Sequence, residues 1–231
     1  MAKGPEHERY AAWLKRLRRQ RAPKIDADLL AMADAYDAAV QSGNLSASQL
    51  QRVVEGASSP RAMLWYNATD LLMKLSGRWP AAADAIATMF RSRKATVRFA
   101  ALCSLGRGTP IDITDALLGA GLRDKSSRVR WKAAARANDL DRRKLIPDIT
   151  AALVAESDEK ARRSIELSRR MLRDDHWVRP DSPGSVSVTA RLHDGGIANK
   201  IVSNDELRTR GIESILAELR ASAIHAQLVA T

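Results

Sequence analysis

Three features of this 231-residue chain predict a mainly α fold, an α-solenoid of stacked helix pairs that ends in a small C-terminal ββα unit. First, a short block returns with leads at Leu64, Val97, Val129 and Ala161, in steps of 33, 32 and 32 residues. A fixed period of that size marks units of two helices, each burying its apolar side only against its neighbours. Second, aromatic residues make up just 4% of the chain, while alanine, leucine and arginine, all good helix formers, fill its middle. Third, helical periodicity stops after Leu172, and strict alternation takes over beyond Gly184.

The elements follow in order. Pro5 suits a first helical turn, and Tyr10, Trp13, Leu14 and Leu17 recur at helical spacing beside Lys15, Arg16, Arg18, Arg19 and Arg21. This predicts a basic amphipathic arm that ends at Ala22-Pro23. A second helix follows from Leu29 to Val40 and stops near Gly43-Asn44, so residues 1–44 read as capping helices with a basic arm. First helices of the repeats are expected over 46–56, 80–91, 111–122 and 146–155, with Pro60, Pro80, Pro110 and Pro147 at helix starts, where a missing amide donor costs little. Each second helix begins just before a returning block. Its core stripe runs Leu64, Ala68, Leu71, Leu75, then Val97, Ala101, Leu105, then Val129, Ala133, Ala137, Leu140, then Ala161, Ile165, Ser168, Leu172. The repeat array spans 45–173.

Residues 174–185, with two prolines and no helical stripe, read as a linker. The remainder, 186–231, forms the ββα module. Val186, Val188, Ala190 and Leu192 alternate with Ser187, Thr189 and Arg191, and Asp194-Gly195-Gly196 leads to a second strand from Ile197 to Val202. Ser203 and Glu206 have capping-box spacing ahead of a helix lined by Leu207, Ile212, Ile215, Leu216 and Leu219.

The run Asp124-Lys125-Ser126-Ser127-Arg128-Val129-Arg130, followed by Ala133 and Ala134, resembles the turn and second helix of HEAT repeats. The resemblance covers roughly 45–173. It implies a ladder between repeats in which a turn acid meets an arginine six residues later, here Asp124 with Arg130 and Glu156 with Arg162. The pattern departs at Ser92, which precedes Arg98, and at Trp65, which stands in the arginine position.

Charge is uneven along the chain. Its formal +11 divides into +6 for residues 1–24, −4 for 25–60, +9 for 61–175 and zero for 176–231. Basic excess of this kind favours an acidic partner, whether protein, nucleic acid or anionic lipid. Cys103 is the only cysteine, so no disulfide forms within the chain, and the four histidines have no zinc-site spacing. No stretch approaches the ~20 apolar residues needed to span a bilayer, and the expected setting is cytoplasmic, with no cofactor or metal.

Candidate site residues come from the second helices. A position two beyond each lead lies about 200° from it around the helix, which places Tyr66, Phe99, Trp131 and Arg163 in one column. In a HEAT-type stack that column faces the concave groove, with Asp70, Asn138 and Arg170 beside it. Arg128 and Lys132 extend the basic surface begun by the N-terminal arm. The competing reading, and the preferred one for the rings, is that they wedge between helices as ordinary packing. No phosphate loop or nucleophile-and-base arrangement occurs. The expected function is therefore a non-catalytic scaffold holding a macromolecular partner, an acidic protein segment or another protein, in the groove. The alternative is nucleic-acid binding, extending to the HEAT-like DNA glycosylases that remove alkylated purines, for which Asp70 near Tyr66 and Trp131 is the nearest comparable set.

Overall fold

The computed structural model describes residues 12, 27–192 and 196–228. The basic positions Lys15, Arg16, Arg18, Arg19 and Arg21, and the turn at Asp194-Gly195, fall outside those residues. The chain is mainly helical with one three-stranded antiparallel sheet near its C-terminus, and it divides into two compact units, Met1–Lys132 and Ala133–Thr231. No helix among the described residues is long and apolar enough to cross a membrane.

In the first unit, α1 (Ala27–Ser42) is followed by α2 (Ala47–Ala57), α3 (Ala62–Ser76), α4 (Pro80–Phe90), α5 (Ala95–Cys103) and α6 (Ile111–Leu122), and the unit ends within α7 (Ser127–Asp139). The start signals work locally. Ser46 and Gln49 close a full capping box on α2, and Pro80 occupies the first turn of α4. Pro110 sits at the N-cap of α6, whereas Pro60 lies just ahead of Arg61, the N-cap of α3.

Two layers result. Helices α4 and α6 touch each other, α3 and α5 touch each other, and α4 packs on both α3 and α5. Leu71, Leu72, Leu75, Ile86, Leu102, Leu105, Leu118 and Leu122 are fully or almost fully buried between them. Small residues bring the backbones together: the Cα atoms of Gly77 and Gly108 lie so close that a Cβ on Gly108 would meet Gly77 Cα at 2.9 Å. Beside them the hydroxyls of Ser76 and Thr109 share a buried 2.7 Å hydrogen bond.

The expected ladder is corrected. Arg98 reaches forward to the next turn and grips Asp124 with two bonds, Nε to Oδ2 at 2.6 Å and Nη2 to Oδ1 at 2.8 Å, both side chains being only 8% exposed. Its Nη1 also donates to the carbonyls of Ser92 and Arg93 in its own turn. Arg130 repeats that second habit, donating to the Asp124 backbone carbonyl at 2.8 Å rather than to the carboxylate. Arg162 does not meet Glu156 as expected; it pairs with Glu159 on its own helix.

The second unit contains the rest of α7, a 3-10 turn at Arg143–Leu145, α8 (Ile146–Ala155), α9 (Glu159–Asp174), β1 (His176–Ser182), β2 (Ser185–Arg191), β3 (Ile197–Ser203) and α10 (Asn204–Leu228), whose φ of +72° at Gly211 breaks its course. The expected linker is thus largely a strand. β1 pairs with β2, which pairs with β3, all antiparallel. Val188, Ala190, Val202, Ile215, Leu216 and Leu219 form the core between sheet and helix. The capping box is half made: Glu206 N donates to Ser203 Oγ at 2.9 Å, but the Glu206 carboxylate turns to Lys200 and Arg210.

Candidate functional site

The returning aromatic positions of the first unit do come together, with one shift of register. Phe99 on α5 lies between Trp65 of α3, stacked at 6.0 Å and 25°, and Trp131 of α7, edge-on at 5.7 Å and 66°. Trp65, and not Tyr66, therefore belongs to the stack. Each residue turns about 100° around a helix, so a one-residue slip moves a side chain to a different face. Tyr66 is 67% exposed, beside Met63 at 66%. Phe99 is 6% exposed, so the packing reading holds for its ring.

Two cations close over that ring. The Arg128 guanidinium carbon stands 4.5 Å from the Phe99 centroid, and Lys132 Nζ lies 5.5 Å from Phe99 and 5.6 Å from the Trp131 ring. Positions 128 and 132 are one helical turn apart on α7 and share a face. Neither cation has an ion pair with a carboxylate among the described residues, and Asp124, one turn before Arg128, is held by Arg98. Each cation-ring contact contributes about 0.5–1 kcal/mol at a partly exposed site, which holds the charges in place without neutralising them.

The other expected site residues do not join this cluster. Asp70 is ion-paired with Lys74 at 3.0 Å, and it leaves α3 about 140° around the helix from Trp65. Asn138, in the second unit, is 8% exposed and serves as a structural anchor: its backbone carbonyl accepts from Arg191 Nη1 at 3.0 Å and its Oδ1 accepts from Arg191 Nη2. Arg163 pairs with Glu159 at 2.8 Å and Arg170 with Glu166 at 2.6 Å, both along α9. The Glu166 carboxyl is held below its ordinary pKa by its hydrogen bond to Arg169, against the opposing effect of burial. These arginines belong to a laced, solvated helix face.

Sequence reasoning missed the Arg191 anchor. Its guanidinium lies 3.3 Å from Asp175 and 4.0 Å from Asp141, and Asp175 also holds Arg143 at 2.6 Å. Both aspartates adopt left-handed backbone, φ +58° and +50°, a conformation aspartate tolerates better than most residues. Aspartate in place of glycine just past a helix end was the available signal.

Among the described residues no group of three or more His, Cys, Asp or Glu side chains is placed to hold a metal ion. Comparison with known proteins yields no match to a family model, a curated protein or a solved structure.

Proposed function

We propose that this chain is a non-catalytic, cytoplasmic interaction scaffold of HEAT-like helix pairs, and that the second-helix face around Arg128 and Lys132 holds an acidic segment of a partner protein. One observation carries the reading: two exposed or half-exposed cations, a helical turn apart, are held on a buried ring with no acid of the described chain to neutralise them. Cations ordered in advance lose less freedom when a carboxylate arrives, so more of the attraction is retained as affinity.

The charge of +11 also suits nucleic acid, which is the second reading. Single strands are commonly held by bases stacking on open rings. Phe99 offers no open face, since helices and cations cover it. The glycosylase variant needs a carboxylate beside the rings, and the Lys74 pair and the angular separation of Asp70 from Trp65 count against it.

Fluorescence anisotropy with a labelled glutamate-rich peptide of about 20 residues and a duplex DNA of similar charge, each across a salt series, tests the choice. The scaffold reading expects peptide binding in the micromolar range that weakens with salt, and weaker duplex binding. Duplex affinity that exceeds peptide affinity and falls steeply with salt would replace it by the nucleic-acid reading.

A further inference from the structure

The sheet of the second unit has two edges, and they are built differently. At β1 the edge carries Pro180 and a register shift between Pro180 and Ser182, two devices that stop a further strand from adding. At β3 neither device is present: Ile197–Ser203 is a regular seven-residue strand in unbroken register with β2.

The hydrogen-bond phase of β3 follows from the bonds flanking the β2–β3 ladder. Leu192 N donates to the Gly196 carbonyl at 2.9 Å and Asn204 N to the Gly184 carbonyl at 2.9 Å, so these opposed residues bond directly. Such pairs alternate along an antiparallel ladder. Ala198, Lys200 and Val202 therefore turn their backbone groups toward β2, and Ile197, Asn199, Ile201 and Ser203 turn theirs outward.

Those outward residues are also apolar where it counts. Ile197 is 55% exposed and Ile201 57% exposed, on the sheet face opposite α10. On the helix side Lys200 is drawn down to Glu218 at 2.7 Å and Glu206 at 3.3 Å, which raises its pKa, chiefly through the Glu218 hydrogen bond, and keeps the ammonium off the edge.

We propose that β3 is a dimerisation strand, pairing antiparallel with β3 of a second copy in a register centred on Asn199. In that register Ile197 of each copy lies opposite Ile201 of the other, and Asn199 lies opposite itself. All three are outward-bonding pairs, each exchanging two backbone bonds. The four isoleucines form one apolar cluster on the face opposite α10, and each Lys200 lies opposite an alanine, Ala198. Moving the centre by one residue to Lys200 would set the two Lys200 ammoniums directly opposite each other, which is unfavourable. The same patch meeting itself around a two-fold axis gives a closed dimer with a continuous six-stranded sheet rather than a fibre. This concerns the second unit and goes beyond the partner site proposed for the first.

Full-length protein at about 100 µM, examined by sedimentation equilibrium, should show a species of twice the 25.3 kDa protomer mass. Ile201→Pro removes an outward donor that β2 does not use, so each copy keeps its own ladder while the dimer loses a bond at both ends. It should raise the dimer dissociation constant at least about tenfold with little change in melting temperature. In a Cys103→Ala background, Asn199→Cys should form a disulfide-linked dimer on mild oxidation, since directly opposed Cα atoms fall within bridging range. Ile197→Cys alone should not, because its own copy lies about 13 Å away along the strand, but mixed with Ile201→Cys it should. A monomer throughout the concentration range, a dimer untouched by Ile201→Pro, or cross-linking by Ile197→Cys alone as readily as by Asn199→Cys would each overturn the proposal.

Discussion

Replacing Asp124 with asparagine strips the counter-charge from a guanidinium that has almost no access to water. Arg98 and Asp124 are each 8% exposed, and the carboxylate makes both strong bonds to the arginine while Oδ1 also accepts from Ser126 N at 2.8 Å. With the acid gone, Arg98 keeps only neutral acceptors, the carbonyls of Ser92 and Arg93 and the single amide oxygen that asparagine retains. A buried cation left with neutral partners costs about 3–5 kcal/mol. At about 2–4 °C per kcal/mol for a chain of this size, the melting temperature should fall by roughly 6–20 °C, read by circular dichroism at neutral pH. The double variant Arg98→Met/Asp124→Leu, which removes both charges and keeps bulk, should recover most of that loss.

Acid provides a second reading of the same pair. Burial pushes the Asp124 carboxyl up, but the Arg98 hydrogen bond, the Ser126 amide and the Arg98 charge together carry it below its ordinary value. A carboxyl depressed in the folded state contributes stability that is present in full above its unfolded pKa, about 3.9, and is lost as pH falls through the lower folded value. The gap between the native protein and Asp124→Asn should therefore be wide at pH 7 and close below about pH 4. A gap under about 2 °C at neutral pH, or a double variant as unstable as the single one, would refute the buried-pair account.

Phe99→Ala should destabilise the first unit by about 3–5 kcal/mol in urea titrations, since the ring is buried against two tryptophans. Gly108→Ala should lower the midpoint by more than an exposed Gly→Ala change would, because its Cβ would meet Gly77 backbone at 2.9 Å. Arg191→Ala should cost roughly 2–3 kcal/mol and speed amide exchange in β2, since it removes charged hydrogen bonds to Asn138 and leaves Asp175 to Arg143 alone. By contrast Arg163→Ala, which breaks only an exposed pair, should stay within about 0.5 kcal/mol of the native protein.

The helix boundaries were legible because local chemistry sets them. Proline in a first turn and alanine-rich stripes hold wherever the neighbours lie, and α4, α6 and α8 begin and end within a residue of the expected positions. The ring stack was legible as a set of three and misread at one member. Aligning the blocks on aliphatic leads favours Leu64, so Tyr66 falls in the column, whereas the packed helices align Trp65 with Phe99. Nothing in the spacing distinguishes a slip of one.

The ladder failed for a different reason. An acid and an arginine in one turn are close in sequence, but Asp124 faces back toward α5, and its partner lies 26 residues earlier. β1 escaped notice because His176, Arg179, Pro180 and Asp181 have little strand preference, and pairing with β2 supplies what propensity does not. Alternation separates Arg191 from Val188 and Ala190, yet alternation alone cannot foresee that a helix end would cover it.

The most direct measurement is the affinity of Arg128→Glu/Lys132→Glu for the glutamate-rich peptide, taken beside a thermal melt. Both side chains sit over Phe99 from the α7 side and no described carboxylate relies on them, so the fold should persist with the loss of about 1.5–3 kcal/mol that three cation-ring contacts supply, while affinity drops at least about tenfold. Undiminished peptide binding by a well-folded reversal variant would contradict the account.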